Sequence, residues 1–136
     1  MFEMFDHTAD LGMRVEAASL DALFQDAACG LTSMIVEHPD AIQQIETRTI
    51  ETSSDDLEYL MFDWLAELLF LFEADGWIGA RFDVRVSGLS ISAKAYGEPY
   101  DFNRHQPAHE VKAITYHGLQ VENIGTAWSA ELIVDI

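Results

Sequence analysis

A chain of 136 residues with seven Lys and Arg against 24 Asp and Glu carries a formal charge of −17, and its length suits one domain, residues 1–136, with a buried core. Binding to a nucleic-acid backbone is driven by counterion release through Lys and Arg, so this balance argues against gripping RNA or DNA and suits divalent cations or a basic protein partner. A single cysteine, Cys29, excludes an internal disulfide and a cysteine-built zinc site.

In chain order, residues 2–6 and 11–16 read as short strands separated by the turn His7-Thr8-Ala9-Asp10, which sets Asp10 at a strand entrance. No basic stretch followed by an apolar run opens the chain, so no signal peptide is expected and the protein is expected in the cytoplasm. Ser19 is suited to N-cap a helix that runs to about Val36, with Asp21 and Asp26 toward its start, where negative charge is favoured. Leu20, Leu23, Phe24, Ala27, Leu31, Met34 and Ile35 recur at helical spacing and form its core face, and Cys29 lies roughly opposite as a small filler. Pro39 ends this helix, and residues 44–51 are rich enough in Thr and Ile to form a strand.

Ser53 or Ser54 is expected to cap a second helix, with Asp55 and Asp56 in its first turn. Its stripe of Leu57, Leu60, Met61, Trp64, Leu65, Leu68, Leu69 and Phe72 is broad, over a length of about 25 Å. Glu58, Asp63 and Glu67 interrupt the apolar run, so it is not a membrane span. Tyr59, Phe62, Ala66 and Phe70 fill most of the opposite side; the helix is therefore expected to be nearly surrounded by protein, the alternative being that it lends an apolar patch to a partner.

After Asp75-Gly76, the residues Phe82, Val84 and Val86 alternate with Arg81, Asp83 and Arg85, and Ser87-Gly88 leads into Leu89, Ile91, Ala93 and Ala95, a hairpin with one wet face. The stretch 97–119 holds three of the five histidines, and Pro99 and Pro107 keep regular structure out of its start. It reads as a polar surface loop leading, from Glu110, into a strand that carries Lys112 away from the Val111 side. In the last strand Trp128, Ala130, Leu132 and Val134 point one way and Ser129, Glu131, Ile133 and Asp135 the other. The sum is an α+β domain: two main helices packed on mostly antiparallel sheet of about seven strands.

Hard divalent cations are held by carboxylates and carbonyl oxygens. Asp135, the main chain of Ile136 and a free chain end there offer several such oxygens, and Asp10 is the candidate for a further anionic ligand, although an Asp in a turn ordinarily bonds its own backbone. His105, His109 and His117 could form a transition-metal or acid/base cluster, but their spacing matches no recognised metal motif, and His38 reads as an ordinary exposed residue.

Several short motifs share one order over nearly the whole chain: Phe5-Asp6-His7-Thr8-Ala9-Asp10-Leu11-Gly12, Trp64-Leu65-Ala66-Glu67-Leu68-Leu69, Gly97-Glu98, Asp101, His105, Val111-Lys112-Ala113, Thr115, His117-Gly118-Leu119 and Val134-Asp135-Ile136. Each is weak alone; together they resemble the archease family. One departure is Glu16-Ala17-Ala18, where a glycine is expected ahead of the first helix, and it touches only a strand-to-helix turn. The resemblance implies a metal site at Asp10, Asp135 and Ile136, with Ca²⁺ the ion most readily seen bound and Mg²⁺ or Mn²⁺ as alternatives. Lys112 lies in the best-matching motif, which points to a functional role; contact with nucleotide phosphates or an acidic ligase group is the expectation for it, and His7 and His117 are carried as candidates for supporting residues around the metal. The function implied is that of a non-catalytic accessory protein to an RtcB-type RNA ligase in tRNA splicing and RNA repair. Such a protein promotes guanylylation from GTP and repeated turnover and broadens nucleotide choice, without binding nucleic acid or membrane itself. Two other classes stay open: a stand-alone metal-dependent phosphoesterase or nuclease with a histidine base, and a chaperone or adaptor using the aromatic back of the second helix.

Overall fold

In the computed structural model residues 1–7 and 10–136 are described, Asp6 and His7 by their backbone alone. Strands β1 (Phe2–His7) and β2 (Asp10–Ala17) pair antiparallel, and β2 pairs in turn with the last strand of the chain, Trp128–Asp135. Helix α1 (Leu20–Ile35) follows, capped as its sequence predicts: Ser19 Oγ accepts from the Ala22 N–H at 3.1 Å. A single 3₁₀ turn at Pro39–Ala41 leads to β3 (Glu46–Ser53), two residues later than the Thr-rich run suggests.

Helix α2 (Leu57–Asp75) is capped not by a serine but by Asp56, whose carboxylate accepts from the Tyr59 N–H at 2.8 Å. Both serines are otherwise engaged: Ser53 Oγ meets Ser90 Oγ at 2.8 Å, the Ser54 N–H donates to the Leu89 carbonyl, and the Ser54 hydroxyl donates to Asp63. Gly76 ends α2 in the left-handed conformation at φ 60°, where a side chain would be strained. Strands β4 (Trp77–Ser87) and β5 (Ser90–Pro99) form the expected hairpin, with β5 between β3 and β4 in a three-stranded antiparallel sheet. Beyond it come a four-residue helix, α3 (Phe102–His105), and short strands β6 (Ala113–Ile114) and β7 (Gln120–Asn123), before β8 (Trp128–Asp135). The expected strand after Glu110 is thus only two residues long, and eight strands stand among the described residues rather than about seven.

The larger sheet runs β1-β2-β8, with β6 and β7 sharing the far edge of β8. Both helices touch strands of both sheets, so the helix pair links the two sheets. Leu23, Phe24, Leu31 and Met34 of α1 and Leu60, Met61, Trp64 and Leu65 of α2 are fully enclosed there, and Trp64 Nε1 donates to the Phe24 carbonyl at 2.9 Å. Removal of this apolar surface from water is the main favourable term.

An edge strand leaves a row of main-chain groups without partners. Side chains of α1 meet those of β4: Gln25 Oε1 accepts from the Val84 N–H at 3.1 Å, Asp21 Oδ1 from the Val86 N–H at 2.8 Å, and Thr32 Oγ1 donates to the Gly79 carbonyl at 2.8 Å. Asp21, read from sequence as a charge favouring the helix start, therefore also fastens α1 to a sheet. The outer face of α2 departs from the enclosed reading, for Tyr59 and Phe70 remain exposed.

Candidate functional site

Register brings the two ends of the chain together. Asp10 at the start of β2 lies directly opposite Asp135 at the end of β8, and Asp135 lies opposite Ala113 of β6. Side chains of directly opposed residues share a sheet face, with Cβ atoms about 5 Å apart. Two carboxylates so placed repel each other. Asp135 is exposed and Asp10 half-buried, on the face away from the core row of Leu132 and Val134, as the alternation along β8 predicts.

Lys112 joins this end of the sheet through its backbone: its N–H donates to the Asp135 carbonyl at 2.7 Å, and its side chain is exposed. Ile136 follows directly and is half-buried. His7 pairs with Asp10 in the backbone register of β1, but its side chain lies outside the described residues. His117 sits in the turn after β6, its N–H bonded to Thr115 Oγ1 at 3.2 Å, and is not a member of the row that contains Asp10 and Asp135.

The loop that carries Lys112 is held by a polar cluster around the buried Glu98 and His105. Gly97 starts it: a Cβ there would stand 1.9 Å from the Ile78 carbonyl oxygen, so only glycine lets β5 approach β4 beside the irregularity at Gly79/Arg81. Glu98 follows and is buried, its carboxylate accepting from Arg104 Nη1 at 2.7 Å, Arg104 Nη2 at 2.9 Å and the Gln43 N–H at 2.7 Å. The Arg104 hydrogen bonds, with lesser help from Gln43 and His105, hold the Glu98 carboxyl down to about 2 against the opposing effect of burial. His105, fully buried, accepts at Nδ1 from the Asp101 N–H at 3.0 Å; Nε2 therefore carries the proton and donates to Glu98 Oε2 at 2.9 Å.

From this anchor the loop crosses the end of α1. That helix lacks a glycine cap, and its last carbonyls are met from outside: the N–H groups of Ala108 and His109 donate to the Ile35 and Met34 carbonyls at 2.9 and 3.0 Å. A cleft of about 520 Å³ opens between the ends of α1 and α2 and this loop, with Ile35, Phe72 and Val111 supplying apolar lining and His109 and Lys112 polar lining.

The three loop histidines do not act together: His105 is locked into the Glu98 cluster, while His109 borders the cleft and His117 lies beyond β6. Among the described residues no three His, Cys, Asp or Glu side chains gather closely enough to hold a metal ion. Register sets two side chains of the oxygen-donor type, Asp10 and Asp135, opposite each other. The Arg104–Glu98 bridge is the part that sequence reasoning missed; Gly97-Glu98, Asp101 and His105 flagged the segment but not their contacts. Among the described residues no helix is long and apolar enough to cross a membrane.

Residues 2–136 match a model of the archease protein family. The chain is 37% identical to protein archease of Pyrococcus abyssi over 99% of this chain and 98% of that one. It is 39% identical to protein archease of Methanopyrus kandleri over 99% of each. Its fold is similar to the solution structure of protein 1598 of Methanobacterium thermoautotrophicum, with TM-score 0.85 and 30% identity over 99% of this chain and 98% of that chain. A crystal structure from Thermotoga maritima, described as an archease and possible chaperone, shares the fold at TM-score 0.68 and 21% identity over 97% of this chain and 94% of that one.

Proposed function

Since this chain belongs to the archease family, we propose that it is a non-catalytic accessory protein of an RtcB-type RNA ligase, promoting guanylylation from GTP and repeated turnover in tRNA splicing and RNA repair. The observation that carries this reading is the union of three motifs distant in sequence: Asp10 opposes Asp135 across the ladder, and Lys112 is tied to the Asp135 main chain. In this reading Asp10 and Asp135, with the main chain of Ile136, would hold a divalent cation, Ca²⁺, Mg²⁺ or Mn²⁺. The ion's chemistry there is neutralisation of the paired carboxylates and a positive charge offered to nucleotide phosphates. Lys112 adds a cation on the neighbouring loop, suited to a nucleotide phosphate or an acidic group of the ligase.

The formal charge of −17 supports a protein partner with a basic cleft over direct capture of RNA. The test is to mix the protein with an RtcB-type ligase from the same organism, labelled GTP and divalent metal, and follow ligase guanylylation. Faster labelling with wild type and none of that acceleration with folded Asp10→Ala would support the reading. No change in rate with wild type would sink it, and hydrolysis of a generic phosphodiester by the protein alone would point to an enzyme instead.

A further inference from the structure

Outside the sheet end, the structure collects exposed aromatic surface in one place. Tyr59, Phe62, Ala66 and Phe70 recur on one face of α2, and Tyr116 is laid on it from the loop after β6. The Tyr116 ring stacks on Phe62 at 4.0 Å between centroids, with planes 10° apart, and meets Tyr59 edge-on at 5.0 Å. Although packed together, these rings are not enclosed: Tyr59, Tyr116 and Phe70 keep 47%, 48% and 60% of their surface in solvent. From Tyr59 to Phe70 the face spans about 16 Å at 1.5 Å per residue.

The surroundings of these rings are acidic. Asp63 and Glu67 lie on or beside the same face, and α2 contains no Lys, Arg or His. Asp63 and Asp56 are close enough to join desolvation in raising the Tyr116 hydroxyl above its ordinary value. Elsewhere the fold supplies its own cation to a ring: Arg14 stands over Phe5 at 5.2 Å, Arg48 over Trp77 at 5.2 Å and Arg81 over Tyr96 at 3.9 Å. Among the described residues no Arg or Lys stands over Tyr59, Phe62, Phe70 or Tyr116.

We propose that this face is a docking surface for an arginine-bearing basic segment of a protein partner. A guanidinium can lie flat on an exposed ring while its N–H groups reach a carboxylate, and Tyr116 beside Asp63 offers both elements together. Phe70, two turns along the helix, receives the apolar part of the same segment, and Glu67 lies between. The charge decides the class of occupant: a neutral apolar helix would set the charges of Asp63 and Glu67 against its surface with no countercharge, and an acidic segment or RNA would be repelled. The inference stands apart from the identity of the ligase, because the face itself can be probed.

The probe is an end-blocked peptide Gly-Arg-Gly-Arg-Gly, with lysine and citrulline counterparts, titrated into isotopically labelled full-length protein by NMR. Saturable shifts confined to the 59–70 and 115–117 segments are expected, with the arginine peptide binding more tightly than the lysine peptide and the citrulline peptide weakest. Tyr116→Ser should weaken binding about threefold, the value of one exposed cation–π contact. Tyr116→Phe should keep it, and Asp63→Asn should reduce it, so the result does not hang on one variant folding. Shifts scattered over every acidic face, or equal affinity for Tyr116→Ser and wild type, would overturn the proposal. So would sedimentation showing a dimer that Tyr116→Ser dissolves, since the occupant would then be a second copy of the chain.

Discussion

Two charged clusters lie on either side of the same loop and differ in every physical respect. Around Glu98 the charges are opposite in sign and the carboxylate is buried and saturated: it takes hydrogen bonds from a solvent-reaching guanidinium, a buried imidazole and a main-chain N–H. At the sheet end, Asp10 and Asp135 are like in sign, face each other across a ladder and reach solvent. The first cluster is complete in itself, while the second sets two like charges opposite each other. The loop uses the first to place Lys112 beside the second.

Removing the buried carboxylate should have the largest effect. Glu98→Ala leaves the buried His105 Nε2–H and the Gln43 N–H without their acceptor, while the exposed Arg104 keeps the Ala41 carbonyl and solvent, so unfolding by denaturant should show a loss of about 3 kcal/mol. The lost hydrogen bonds also release the loop, and amide exchange should speed up across residues 99–112.

The pH dependence of the same cluster comes next. Glu98 titrates at about 2 in the fold against an ordinary 4.5. Between these values the unfolded chain binds the proton and the folded chain does not. The stabilisation is therefore present above about 4.5 and lost as pH falls toward 2. Thermal melts of wild type and Glu98→Gln should converge over that range, the variant being the less stable at neutral pH.

At the sheet end, substitutions should cost little stability or even raise it. Asp135→Asn relieves the repulsion with Asp10 and should stabilise the metal-free protein by about 0.5 kcal/mol. In the proposed metal site, added Ca²⁺ should raise the melting temperature of wild type and not of this variant; an equal rise in both would remove Asp135 from the ligand set. The smallest change in stability is expected for Lys112→Glu, within about 0.5 kcal/mol because the side chain is exposed. Under the proposed function the same variant should abolish stimulation of an RtcB-type ligase in the guanylylation assay, and unchanged stimulation would remove Lys112 from that role.

Local rules account for much of what was legible in the amino-acid order. Ser19 caps α1, Gly76 ends α2, the alternation from Phe82 to Ala95 makes the β4–β5 hairpin, and that along β8 turns Asp135 away from the core. Each depends on a residue and its near neighbours, through capping, chirality or a period of two or 3.6. The motif resemblance likewise singled out Asp10, Lys112 and Asp135 without locating them relative to one another.

Where several local solutions are equally good, distant contacts choose. Ser54 and Asp56 are both sound helix caps, but the β4–β5 turn and Asp63 engage Ser54, and the cap passes to Asp56. Glu98 reads singly as a surface charge, and only the closure of β5 on β4 at Gly97, with α3 folding back to bring Arg104 and His105 against it, buries its carboxylate. The sequence by itself determined the helices, the hairpin and the residue types available for chemistry, because those follow from interactions a few residues long. Only the tertiary structure decided that Asp10 faces Asp135, that Lys112 is fastened beside them and that Tyr116 lies on α2, because these depend on strand register and loop paths set by burial of the common core.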